Sequence, residues 1–217
     1  MKPKLKVLLN QDLDVEVCRK FLYYKNGGVD FGKGIKRVHP NLKEDRIEEY
    51  FSEYYKSNSL RLNEVAIKNQ KDWDRIEAKF YGACDKYFEN NSWPTGSYEA
   101  YLSIIDCNPR FVENKTFQVY WRHRTGFVGV SVHEMLHFLF YDLVLKLMPN
   151  IDLKNKYLWK ISEIFNDLIM REPEFLEIAQ SKSLQYPALL GMQEKLRSVW
   201  NSNKNANNFI KETILKY

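Results

Sequence analysis

The spacing of apolar and polar positions divides the chain into a helical front, a small sheet and a helical back. Residues 6–9 form a short apolar run that reads as a strand, and residues 14–24 repeat at helical spacing until Gly27-Gly28 ends them. The stretch 27–40 has no clear period. Its Gly32 and Gly34 lack the third glycine of a dinucleotide loop and read as turn chemistry. Two helices with a charged face follow, at 44–55 and 62–89, and then a loop at 90–96. Beyond it the texture changes. Residues 98–105 and 116–121 carry aromatic and β-branched side chains and read as strands, joined through Cys107-Asn108-Pro109. Helices are expected at 126–147, 156–170 and 189–200, separated by Pro149, Pro173 and Pro187.

The expected class is α+β: mostly helical, with a small mixed sheet beside the 126–147 helix and a helical C-terminal subdomain. At 217 residues one domain is the simplest organisation. Within it lie a helical N-terminal part of unknown role (1–97), the sheet and its helix (98–147), and the C-terminal subdomain (148–217).

Composition adds limits rather than a function. A net charge of +5, spread along the chain, implies only weak attraction to acidic partners. Arg122-His123-Arg124, the densest basic spot, reads as a solvated turn, and nucleic acid is not an expected partner. Cys18, Cys84 and Cys107 are odd in number and lack any CxxC pairing, which favours a reduced, cytoplasmic setting over a disulfide framework. The N-terminal apolar run is too short for a secretory segment. The most apolar stretch, 127–148, is interrupted by His133, Glu134, His137, Asp142 and Lys146, so no membrane span is expected. Oligomeric state leaves no mark in the sequence.

Chemistry concentrates in Ser131-Val132-His133-Glu134-Met135-Leu136-His137, which contains HExxH. On a helix, residues four apart lie one turn above each other, so both imidazoles leave the same face. That supplies a tetrahedral metal with two nitrogens at fixed separation and room for a third ligand and a water. Glu134 sits beside the metal position, where it can take a proton from a zinc-bound water and pass it to a leaving amine. A chance HExxH in a chain of this length is on the order of 1 %. Val132, Met135, Leu136, Phe138, Leu139 and Phe140 make the helix apolar nearly all round, which calls for burial. Burying Glu134 without a partner is expensive, and a metal gives all three polar groups a reason to share one stripe.

A third ligand must be an acid, because no histidine follows His137. The candidates are Asp142, Asp152, Glu163, Asp167, Glu172, Glu174 and Glu177. Asp142 lies on the part of the helix that points away, and Glu172, Glu174 and Glu177 surround Pro173 as a solvated turn and helix start. Glu163 is favoured. The apolar face of its helix is Leu158, Ile161, Ile164, Phe165, Leu168 and Ile169, while Glu163 and Asp167 share the other side with Trp159, Asn166 and Met170, a poor face for water.

In these residues the chain resembles the gluzincins, the thermolysin-like zinc metallopeptidases, and the small cytosolic type in particular. Their HExxH is matched by His133, Glu134 and His137, and their E-x-x-x-D by Glu163-Ile164-Phe165-Asn166-Asp167, so the likeness covers about residues 116–170. It implies one Zn2+ per chain held by His133, His137 and Glu163, with Glu134 as general base. Asp167 would fix a ligand histidine through a hydrogen bond. The 116–121 strand would be the edge that receives an extended peptide or protein substrate. The family's oxyanion-stabilising tyrosine or histidine has no counterpart in a motif, which leaves Tyr157, Tyr186 and His123 open. The expected activity is hydrolysis of peptide bonds. The rival expectation is a catalytically silent metal- or partner-binding module on the same scaffold.

Overall fold

A computed structural model of the chain describes residues 2–89, 91–180 and 186–214. Its centre is a four-stranded mixed sheet in the order β1-β4-β6-β5. β1 (Leu5–Leu9) runs parallel to β4 (Tyr98–Ser103), which runs parallel to β6 (Thr116–Tyr120). β5 (Arg110–Phe111) closes the far side antiparallel to β6, with Arg110 opposite Phe117. The fold is α+β, as the sequence implies. The front of the chain is not purely helical, however: β1 is an edge strand of the central sheet, formed across a gap of some ninety residues that local periodicity does not register.

Between β1 and β4 lie α1 (Gln11–Phe21), the short pair β2 (Lys25–Asn26) and β3 (Val29–Asp30), α2 (Phe31–Val38) and α3 (Ile47–Phe88). Asn10 caps α1 by accepting from the Leu13 amide at 2.9 Å, with Asp12 and Asp14 in the first turn and Arg19 and Lys20 in the last, as the helix dipole favours. The two helices expected at 44–55 and 62–89 are one helix of 42 residues. The intervening Lys56-Ser57-Asn58-Ser59-Leu60-Arg61 has weak helix formers but no Gly or Pro. Asn58 Nδ2 donates to the Tyr54 carbonyl at 2.8 Å, so its side chain satisfies itself on the helix rather than ending it. Asn90, first residue of the expected 90–96 loop, lies outside the described residues.

α4 (Gly126–Leu147) follows β6 and carries HExxH. It is long and apolar enough to cross a membrane by length and composition, but 78 % of its most apolar window is buried inside the protein, as in a core helix. α5 (Lys156–Ile169) packs on it, followed by α6 (Pro173–Ala179), α7 (Leu190–Asn203) and α8 (Ala206–Thr213). Phe138, Phe140, Phe165, Trp200 and Phe209 join these helices in one core with β4 and β6. A second core gathers α1, α2, the start of α3 and the 104–107 segment around Ile35, Phe51 and Leu62.

Glu172 departs from the solvated turn expected around Pro173. It is buried and accepts from Trp200 Nε1 at 2.9 Å and Lys204 Nζ at 2.7 Å, pinning the start of α6 to α7. Its partners lie 28 and 32 residues downstream, out of reach of any local reading.

Candidate metal centre

The two histidines leave α4 on one face, as their spacing requires, and their Nε2 atoms stand 3.0 Å apart. α5 crosses that face and brings Glu163, whose Oε2 lies 3.3 Å from His133 Nε2 and whose Oε1 lies 3.5 Å from His137 Nε2. One donor atom from each of the three falls within 4.8 Å of the others. Two ligand nitrogens each about 2.05 Å from a tetrahedral zinc stand about 3.3 Å apart, so the observed separations are already those of a tetrahedron's edges. Two imidazoles and a carboxylate are also the donor set of a catalytic zinc site with an open fourth position. The residues fit the ion.

The cluster is largely buried, with His133 its most exposed member. His137 is fully buried, and Glu134 and Glu163 nearly so. Burial, with Arg110 adding to it, holds the His137 imidazole well below its usual range, which leaves it neutral with a lone pair to offer. Burial alone would push the Glu163 carboxyl up, but Arg110 and the two histidines outweigh it and keep the group ionised. Burial pushes Glu134 the other way, above the ordinary carboxylate range, with His133 and Arg110 opposing. Glu134 Oε2 accepts no hydrogen bond among the described residues.

Arg110 was not singled out by the sequence. From the edge strand β5 its guanidinium donates to Glu163 Oε1 at 2.8 Å, stands 3.5 Å from Glu134 Oε2, and lies over the Tyr141 ring with Cζ 5.8 Å from the centroid. It neutralises two buried carboxylates at once. A lone arginine between Pro109 and Phe111 carries no local signal. Only the pairing of β5 with β6 aims it at α4.

Asp167 is buried one turn beyond Glu163, yet its described bonds run elsewhere, to Arg171 Nε at 2.9 Å and Nη2 at 3.1 Å and to Gln193. It does not reach His137, whose Nδ1 has no hydrogen-bond partner among the described residues. Asn166, not singled out beforehand, donates to the His133 carbonyl at 2.6 Å and ties α5 to the motif's first turn. β6 is also not the open edge expected for a substrate. β5 pairs with it, and its outward amides at Gln118 and Tyr120 are taken by the Pro109 carbonyl and Asn108 Oδ1 at 2.9 and 2.8 Å.

His133 and Glu134 lie in the lining of a cleft of about 730 Å³. The rest of its lining comes mostly from β3 and α2, from residues 106–108 and 120–125, and from Met170 and Tyr186. The N-terminal part therefore has a place in the site. Gly27, at φ +59°, lies against Tyr186: a Cβ there would stand 2.4 Å from the ring, so the turn after α1 makes room for it. Burial raises the Tyr186 hydroxyl well above its usual range, Glu163 adding to the shift and Arg110 opposing it. Tyr157 is elsewhere, donating to the Thr213 carbonyl at 3.1 Å. His123 lines the cleft and bonds Thr125 Oγ1 through Nδ1 at 2.9 Å.

No protein-family model, curated protein or solved structure matches the chain. The functional reading therefore rests on the residues and their geometry.

Proposed function

We propose that this chain is a zinc-dependent metallopeptidase of gluzincin type, acting on peptide or protein substrates. The observation that carries the reading is the meeting of His133, His137 and Glu163 within 4.8 Å, beside a buried Glu134, with His133 and Glu134 lining a cleft. These three are the residues a catalytic zinc site of this kind would require, and they come from two helices, the histidines from α4 and Glu163 from α5. One zinc ion bound by them would polarise the scissile carbonyl and acidify an attacking water.

The remaining work falls to the chain. Glu134 has an oxygen free of hydrogen bonds, so it can accept the water's proton and deliver it to the departing amine. Arg110 holds Glu163 in place through Oε1 and offsets the charge of two carboxylates in a dry site. Tyr186, in the same cleft, is the hydroxyl donor available to charge developing on the carbonyl oxygen, whereas Tyr157 is committed to Thr213. The three cysteines are free and buried, as suits a reducing cytoplasm.

Zinc content and peptide hydrolysis of Glu134→Gln test the assignment. The variant should hold one zinc per chain and hydrolyse about 10²–10⁴-fold more slowly. Parent-like turnover would remove Glu134 from the role of base. One observation favours the silent-module reading: Arg110 lies 3.5 Å from Glu134 and blunts its basicity. A zinc-loaded parent that cleaves no peptide in a diverse library would favour that module.

A further inference from the structure

We infer that the cleft over Glu134 is built for acidic peptides, and that Lys33, Arg122 and Arg124 read Asp or Glu side chains flanking the scissile bond. The inference rests on the peptidase reading and adds a substrate class to it.

The argument is one of charge accounting along the cleft. Its lining carries four cations, Lys33, Arg37, Arg122 and Arg124, against two rim acids, Asp30 and Asp106. Both acids are already answered. Arg37 pairs with Asp106, and Lys25, from outside the cleft, stands 3.1 Å from Asp30. Lys33, Arg122 and Arg124 are exposed and form no ion pair among the described residues. They come from different elements, Lys33 from α2 and the two arginines from the turn after β6, and all three lie in the cleft's lining, so the surplus belongs to the cleft rather than to one helix face. Arg122 is also held in place, its Cζ 4.1 Å from the centroid of the Trp121 ring. A concave wall of one sign concentrates the field on whatever enters.

The cleft's floor differs from its rim. Val130 and Met170 lie in the lining with His133 and Glu134, which gives an apolar seat at the reacting centre. The fitting substrate has an apolar residue there and carboxylates on either side. A nucleic-acid strand fits less well. Three free cations are few beside the six to ten phosphate contacts of an ordinary binder (about that many in general), and the lining adds the carboxylate of Glu134.

Matched peptides provide the test: one with Glu on both sides of an apolar centre, its Gln counterpart and its Lys counterpart. With zinc-loaded protein at low salt, kcat/KM should be at least about tenfold higher for the Glu peptide than for the Gln peptide. About 0.5 M salt should shrink that ratio below about threefold, since exposed charges are screened within a few ångströms there. The triple variant Lys33→Glu, Arg122→Glu, Arg124→Glu should turn the preference toward the Lys peptide, while Lys195→Glu, on α7, leaves the preference for Glu intact. Chelator-sensitive cleavage with equal rates on the Glu and Gln peptides would sink this inference and leave the peptidase reading standing. If no peptide is cleaved, the peptidase reading fails instead, and anisotropy of the labelled Glu and Gln peptides on zinc-loaded Glu134→Gln protein still decides the inference. Tighter binding of the Glu peptide supports it, and equal binding overturns it. Displacement of the labelled Glu peptide by a random oligonucleotide at far lower concentration than by unlabelled Glu peptide would overturn it in favour of nucleic acid.

Discussion

Asp14 and Glu163 are both carboxylates sealed inside this protein, and their surroundings differ in kind. Asp14 accepts from four neutral donors: Ser103 Oγ and Gln118 Nε2 at 2.6 Å each, Tyr55 hydroxyl at 2.7 Å and the Ile104 amide at 3.0 Å. These donors come from α3, the end of β4 and β6, so one side chain of α1 ties four parts of the fold together. No cation is among them. Glu163 instead faces two imidazoles and a guanidinium, and its cluster leaves Glu134 Oε2 and His137 Nδ1 without hydrogen bonds. The Asp14 carboxylate is satisfied, although the neutral Gln118 Oε1 beside it is not, and a satisfied buried group contributes to one unique packing, whereas a cluster that adds gathered charge to unspent acceptors is poised for a ligand. The first arrangement holds the fold, and the second is the one to which the proposed chemistry is assigned.

The sharpest way to break this contrast is to remove one member of each cluster. His133→Ala or His137→Ala should lower zinc from one per chain to near zero and abolish hydrolysis, with the far-ultraviolet dichroism of the fold retained. Atomic absorption and a peptide assay check both effects. Asp14→Ala should do the reverse. It orphans four buried donors at about 1–1.5 kcal/mol each, roughly 4–6 kcal/mol in all, measurable by urea unfolding. Its folded fraction should still bind one zinc. Zinc loss in Asp14→Ala at temperatures where it is folded would erase the division between the clusters.

Arg110→Met sharpens the same division at a slightly smaller scale. Removing the guanidinium leaves Glu163 and Glu134 buried without their cation, and breaking such a pair costs about 3–5 kcal/mol in metal-free protein. A divalent ion between the ligands replaces the lost charge. Added zinc should therefore raise the stability of Arg110→Met by more than it raises that of the parent, whereas Asp14→Ala should gain no more than the parent does. Thermal unfolding with chelator and with excess zinc gives both comparisons.

The two clusters also differ in how far the sequence discloses them. His133 and His137 are one helical turn apart, so periodicity alone places them on one face, with Glu134 next to the first. Glu163 could be picked because its side of α5 carries too little polarity for a wet surface, and Ser162, Asn166 and Asp167 are indeed buried with it. Arg110 and Asp14 depend on pairings made 53 and 89 residues away, to Glu163 and Ser103, which no local pattern encodes. Helix and strand types were legible for the same reason, each being a local period. The unity of α3 was missed because Ser and Asn lower helix propensity without terminating a helix. β1 as a sheet edge and the cleft wall from α2 are products of long-range packing, while β5, at two residues, is too short to carry a period.

The smallest expected effect is a pH dependence confined to the Asp14 cluster. Burial raises the Asp14 carboxyl to about 6 from an ordinary 3.8, its four hydrogen bonds opposing but not cancelling the rise. Below about pH 4 the group is protonated in folded and unfolded chains alike and contributes no slope. Between about 4 and 6 the folded protein keeps the proton while the unfolded chain has released it, so unfolding releases a proton and stability falls as pH rises. Above 6 both are ionised and the slope vanishes again. A shift of about two units corresponds to ~3 kcal/mol lost across that window. Asp14→Asn cannot titrate, though its amide nitrogen would face a donor and lower stability at every pH. Subtracting its unfolding free energy from the parent's, both zinc-loaded, cancels the titrations common to the two proteins. The difference should decline from pH 4 to 6 and then stay level. A flat difference across the window would mean that Asp14 is ionised throughout, and that its four neutral donors stabilise a buried charge as well as Arg110 does in the metal centre.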